Sequence, residues 1–250
     1  EIMAILALAD GPQDLRERLT RIVVGETTEG EPVTVEQLGV AGALMTLLHQ
    51  TVMPNLVQTM EGQPSIIHAG PFGNIAHGCS SIIADKMALG YTDYVITEAG
   101  FASDLGFEKF MHIKTRQSGL PPSAAVLVAS ARALKWHGGV RRRDLVNPDT
   151  AAVVAGGDNL THHVGIVKGF NLPCVVAINR FGSDSDEELA AVKQIALDAG
   201  ATAAVECDGF AQGGAGAEEL AQAVVDAAQG APQITYAYPA DASAQNKVLA

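Results

Sequence analysis

Three apolar runs in this chain each end in residues able to do chemistry. DYVIT (93–97) runs into TEAGFASDLG, which supplies Glu98, Gly100 and Asp104. AAVLVAS (124–130) runs into Arg132, Lys135, Trp136, His137 and the pair Gly138-Gly139, and PCVVAIN (173–179) ends in Asn179 with Phe181 just beyond. In a parallel sheet, ligands bind outside the carboxyl ends of the strands, which is where these residues fall. An acid at such an end has little packing use. Glu98 is therefore a candidate to hold Mg²⁺, directly or through water, with Asp104 either a second metal carboxylate or the cap of the next helix. Gly100 lets the backbone turn close to a ligand. Arg132 and Lys135 suit a phosphorylated ligand. Trp136, the single tryptophan, suits packing at a domain or subunit contact, and His137 is either polar lining or plain surface.

Two further constellations join these. HAGPFGNIAHG (68–78) has glycines bracketing a strand-to-helix turn, which is either a place where backbone N–H groups cradle a phosphate or a tight structural turn with a capping Asn; Asn74 and His77 stand near the expected helix start. CDGFAQGGAG carries Phe210, Gly213 and Gly214 after the run ATAAVEC (201–207), repeating the aromatic-in-a-polar-loop arrangement of Phe181. If the two strands are neighbours, Phe181 and Phe210 can sandwich a flat heterocycle, worth about 1–3 kcal/mol per stacked face. The alternative is two separate loop anchors. The chain has no G-x-x-x-x-G-K-[ST] loop, no G-x-S-x-G elbow and no H-E-x-x-H pair. His162 and His163 are adjacent on a helical pattern and point in different directions.

The elements that must position these groups follow from periodicity. Residues 1–50 are helix-rich, with a turn-bearing stretch in the middle, and Pro54 ends the last helical run. From about 60 the pattern changes to strand, loop and helix. Strands are expected at 65–70, 93–97, 124–130, 173–179 and 201–207, and helices at 75–90, 105–119, 150–170, 184–200 and 217–230. Gly119 is placed as a C-cap, Gly156-Gly157 as a kink, and Ser183 or Asp184 as an N-cap. Short continuous apolar strands alternating with helices imply an α/β fold, a mostly parallel sheet with helices on both faces. The expected organisation is a helix-rich inserted lobe over 1–60, an α/β core over 61–235, and the start of a further unit over 236–250.

Bulk properties narrow the function. The 250 residues carry a formal net charge of −12, which argues against nonspecific nucleic-acid binding. Three widely spaced cysteines with no C-x-x-C argue against a disulfide framework or zinc site and suit a reducing cytoplasm. No apolar run approaches the roughly 20 residues a membrane span needs. Residues 1–9 already read as mid-helix, so the chain is expected to begin inside a longer polypeptide.

PNLVQTMEG (54–62), HAGPFGNIAHGCSS (68–81), DYVITEAGFASDLGFEKF (93–110), VASARALKWHGG (128–139) and PCVVAINRF (173–181) closely resemble formate–tetrahydrofolate ligases. The R-A-L-K-x-H-G-G ending is the most specific of these, and the similarity runs in order along essentially the whole chain. The resemblance implies ATP-dependent ligation of formate to tetrahydrofolate through formyl phosphate, with Mg²⁺ and a monovalent cation (K⁺ or NH₄⁺) as companions. It also implies a P-loop NTPase-like fold whose phosphate loop lies upstream of this stretch, and a homotetramer. Phe181 matches one of two aromatics that stack the pterin; Phe210 stands where tryptophan is usual. Gly182-Ser183 replaces a common Pro-Thr. Glu98, Arg132, Asn74 and His77 are the candidates for the reaction centre, and Phe181, Phe210, Asn179, Gly100, Gly213 and Gly214 for substrate binding. Two alternatives stand beside this: a noncatalytic assembly fragment, or another P-loop-type ligase with an acyl-phosphate intermediate.

Overall fold

A computed structural model describes residues 1–250 in full. The chain divides into two compact units, Glu1–Leu120 and Pro121–Ala250. Residues 1–60 share the first unit with 61–120.

In the first unit, α1 (Ile2–Leu8) and α2 (Pro12–Thr20) pack through Leu6, Ala9, Leu15 and Leu19. Pro12 opens α2 at a position where its missing N–H costs nothing. A short antiparallel pair follows, β1 (Val23–Glu26) with β2 (Pro32–Thr34), and then α3 (Ala41–Leu48), whose Leu44, Met45 and Leu48 close over the same core. A second antiparallel pair joins β3 (Asn55–Gln58) to β4 (Pro64–Ile67), Asn55 opposite Ile67 and Gln58 opposite Pro64. The expected 65–70 strand is thus a hairpin arm rather than a member of the parallel sheet, because the preceding NLVQ supplies an adjacent antiparallel partner. The expected 93–97 strand does not form: the segment has no ladder partner.

The helix expected over 75–90 is shorter. It is α4 (Ile82–Leu89), N-capped by Ser81, whose Oγ accepts the Ala84 N–H. Residues before it are held in turns, with Gly78 at φ +73°. The helix expected over 105–119 is present but wound wide. Two π-helical segments, Ala102–Phe107 and Phe110–Thr115, lead into the short α5 (Arg116–Ser118), which ends at Gly119 in the left-handed region as expected.

The second unit is built on three parallel strands, β5 (Ala125–Ala129), β6 (Cys174–Asn179) and β7 (Ala203–Cys207), in that order. Cys174 through Ile178 are all buried. Successive strand residues face opposite sides, so helices cover both faces of β6. α6 (Ala131–His137) follows β5. α7 (Thr150–Ala155) and α8 (Gly157–Gly169) lie either side of the expected break at Gly156. α9 (Asp186–Asp198) starts at a full capping box: Ser185 Oγ accepts the Glu188 N–H, and Glu188 Oε2 accepts the Ser185 N–H. The cap is therefore Ser185, not Ser183 or Asp184. α10 (Gly209–Gln212), a 3₁₀ turn (Gly213–Ala217), α11 (Glu218–Ala227) and α12 (Ala244–Leu249) complete the chain.

Candidate functional site

In the first unit, the glycine-rich loop before α4 and the loop carrying Glu98 pack against each other. A Cβ on Gly100, at φ +79°, would stand 3.1 Å from the Gly106 Cα and 3.4 Å from the Gly78 carbonyl oxygen, so a larger residue there would be strained and tightly contacted. Lys109 Nζ donates to the Gly73 carbonyl and, at 2.9 Å, to that of Ala76, which fixes the turn around Asn74. Asn74 itself is exposed. His77 is buried, and both its ring nitrogens are committed: Nε2–H donates to the Ala4 carbonyl (3.1 Å), and Nδ1 accepts the Cys79 N–H (3.1 Å). Burial, helped by the Lys114 and Lys109 charges, holds its pKa below the usual histidine value. His77 is thus a neutral strut of this loop. Cys79 lies beneath it, its thiol pushed up to about 11 by burial.

Glu98 and Asp104 are exposed carboxylates, Asp104 in the first turn of the π-helical segment. Nowhere do three or more His, Cys, Asp or Glu side chains converge as a metal cage. These residues fit only a cation that brings most of its own oxygen ligands, as Mg²⁺ on nucleotide phosphates does.

In the second unit the polar residues gather beyond the carboxyl ends of β5, β6 and β7. Arg132, in the first turn of α6, lays its guanidinium over the Phe181 ring, 4.3 Å from the centroid, and its Nη2 donates to Ser183 Oγ (3.0 Å). The loop after β6 is closed on itself: the Phe181 N–H donates to Asp184 Oδ2, and the Asp184 N–H to the Phe181 carbonyl, both at 2.9 Å. Phe181 remains 37% exposed. Asn179 is exposed at the end of β6, in register with Cys207 of β7. Phe210, on α10, projects wholly into solvent, and Gly213 (φ +63°) turns the chain just after it, with Gly214 next. The expected neighbour relation of β6 and β7 therefore holds, and both aromatics rise from the same sheet edge.

Lys135 is a correction. It is not available to a phosphorylated ligand: its side chain is fully buried, with Nζ 2.7 Å from Glu188 Oε1 and 3.0 Å from the Asn147 carbonyl. Glu188 Oε1 also accepts the Asp149 N–H at 2.8 Å. The pair ties α6, the 147–149 turn and the start of α9 together. The local sequence around Lys135 carries no sign of this partner, because Glu188 lies far along the chain. Trp136 and His137 are exposed. Arg180, unremarked in the sequence, bridges Glu206 (2.7 Å) and Asp186 (2.8 Å) and so braces β7 and α9 beside Phe181.

Comparison with known proteins places these features in a family context. A family model described as "Formate--tetrahydrofolate ligase" matches residues 1–250. Curated proteins of that name match along the chain: one from Methylorubrum populi at 50% identity over 251 residues, covering 100% of this chain and 45% of its own length. One from Paracoccus denitrificans is 50% identical over 248 residues (99% and 44%), and one from Desulforamulus reducens 48% identical over 256 (99% and 45%). The chain thus spans a little under half the length of these relatives.

Proposed function

The chain belongs to the formate–tetrahydrofolate ligase family, and from that premise we propose that the polypeptide to which it contributes joins formate to tetrahydrofolate at the expense of ATP. The observation that carries this reading is the family match over all 250 residues. The exposed aromatics at the carboxyl edge of β6 and β7 agree with it.

The reaction runs in two steps. A formate oxygen attacks the γ-phosphorus of ATP, releasing ADP and leaving formyl phosphate. The N10 amine of tetrahydrofolate then attacks the formyl carbon; phosphate leaves, and the amine loses a proton. Both steps need positioning and charge neutralisation more than covalent chemistry from the protein. In this reading Phe181 and Phe210 hold the pterin, Asn179 and the Gly213-Gly214 turn border it, and Asn74 borders the reacting groups. Glu98, with Asp104 near it in sequence, would hold a magnesium ion carried on the nucleotide, and that ion would supply charge neutralisation at the phosphates. His77 serves by holding its loop. The phosphate loop belongs to a part of the polypeptide other than these 250 residues, which contain no such motif. A cytoplasmic homotetramer activated by a monovalent cation completes the proposal.

Steady-state kinetics of the intact enzyme test it. Phe181→Ala and Phe210→Ala should each raise the KM for tetrahydrofolate about 5- to 100-fold, the equivalent of one lost stacking face. The KM values for ATP and formate should stay within about twofold. Unchanged folate KM in both variants refutes the platform.

A further inference from the structure

We propose that Arg132 is a positioning residue for the pterin: its guanidinium occupies one face of the Phe181 ring, so that the heterocycle stacks only on the other. This rests on the reading that Phe181 is the folate platform.

Three observations on this side chain point the same way. Its carbon centre lies 4.3 Å from the ring centroid, the separation of a stacked pair. It forms no ion pair, and its one hydrogen bond goes to the neutral Ser183 Oγ at 3.0 Å. Its Nε is buried with no hydrogen-bond partner, although an arginine with a free choice of site satisfies that donor. The guanidinium is therefore placed by the ring and by Ser183 rather than by a carboxylate. Asp184, itself buried, takes the Phe181 N–H and returns its own N–H to the Phe181 carbonyl, so the backbone that carries the ring is held in place.

The consequence is chemical as well as steric. A cation over one face draws π-density toward itself and leaves the opposite face less negative. That outer face then suits an electron-rich, amino-substituted ring such as a reduced pterin, and disfavours a second cation. Arg132 would thus act on folate through Phe181 and have no contact with the nucleotide. The sequence-derived role in phosphate binding predicts the reverse.

The intact enzyme distinguishes the two. Arg132→Gln, which keeps a planar group and removes the charge, should raise the tetrahydrofolate KM about fivefold and leave kcat within about twofold. The KM values for ATP and formate should not move. Arg132→Lys should recover little, because a compact ammonium does not stack as a plane. Ser183→Ala, which loosens only the anchor, should raise the folate KM by about twofold to threefold and needs no buried charge removed. A raised ATP KM with folate KM unchanged in Arg132→Gln overturns the proposal. So does a normal folate KM in Ser183→Ala, should the arginine variant not fold. Phe181→Ala serves as the control. If it leaves folate binding intact, the platform itself is wrong. If it weakens folate binding while the Arg132 and Ser183 variants do not, only the role of Arg132 falls.

Discussion

Lys135 and Glu188 show how a residue with apparent ligand chemistry can be structural. Burial opposes the Glu188 charge, but the Lys135 ammonium and the amides of Ser185 and Asp149 outweigh it and hold the carboxyl below the usual glutamate range. The depressed folded-state value means that this stabilisation is complete above the ordinary glutamate pKa. It is lost as pH falls through the lowered one. Lys135→Met should leave a buried carboxylate uncompensated and cost about 3–5 kcal/mol in denaturant unfolding of the intact protein. The deficit relative to wild type should narrow as pH falls, because protonating Glu188 removes the uncompensated charge. A loss under about 1 kcal/mol would show that the pair is solvated. Nothing local in R-A-L-K-W-H-G-G separates a phosphate-binding lysine from a buried one. The deciding fact is the distant partner, and a single sequence does not pair residues across such a gap. Arg132 shows the same limit: its place at a strand end was legible, but the ring beneath it was not.

At the scale of elements, the runs that could be read were those whose burial is continuous. β6 is apolar along its length because both faces are covered, and its bounds fall within one residue of the expected 173–179. The 93–97 run is equally strand-like in composition, yet a strand exists only with a partner, and this segment pairs with none. The 75–81 stretch looked helical by its apolar residues; Gly78 at φ +73° and the Ser81 cap start the helix later. The break between α7 and α8 falls at the expected Gly156-Gly157, and close packing accounts for the glycine. A Cβ on Gly156 would strike the Leu134 carbonyl, and one on Gly138 the Ala152 carbonyl, so α6 and α7 touch backbone to backbone. Gly156→Ala should therefore destabilise by about 1–3 kcal/mol. Gly165→Ala, inside α8 with open space around it, should stabilise by up to about 1 kcal/mol. Equal and same-signed effects in thermal unfolding would contradict this packing.

Across the whole molecule, the formal net charge is −12, and four of the cations near the candidate site residues are engaged within the protein. Lys109 holds carbonyls, Lys114 pairs with Asp85 at 2.5 Å, Lys135 pairs with Glu188, and Arg132 covers Phe181. No helix is long and apolar enough to cross a membrane. The family assignment was legible from ordered motifs along the chain, whereas the separate jobs of the site residues needed their contacts. The most direct measurement is ADP release by the intact enzyme, with formate and tetrahydrofolate supplied singly and together. Sustained turnover that requires both, with 10-formyltetrahydrofolate formed one-for-one with ADP, is the predicted result. Turnover independent of either co-substrate, or none with both present in a folded enzyme, would contradict the assignment.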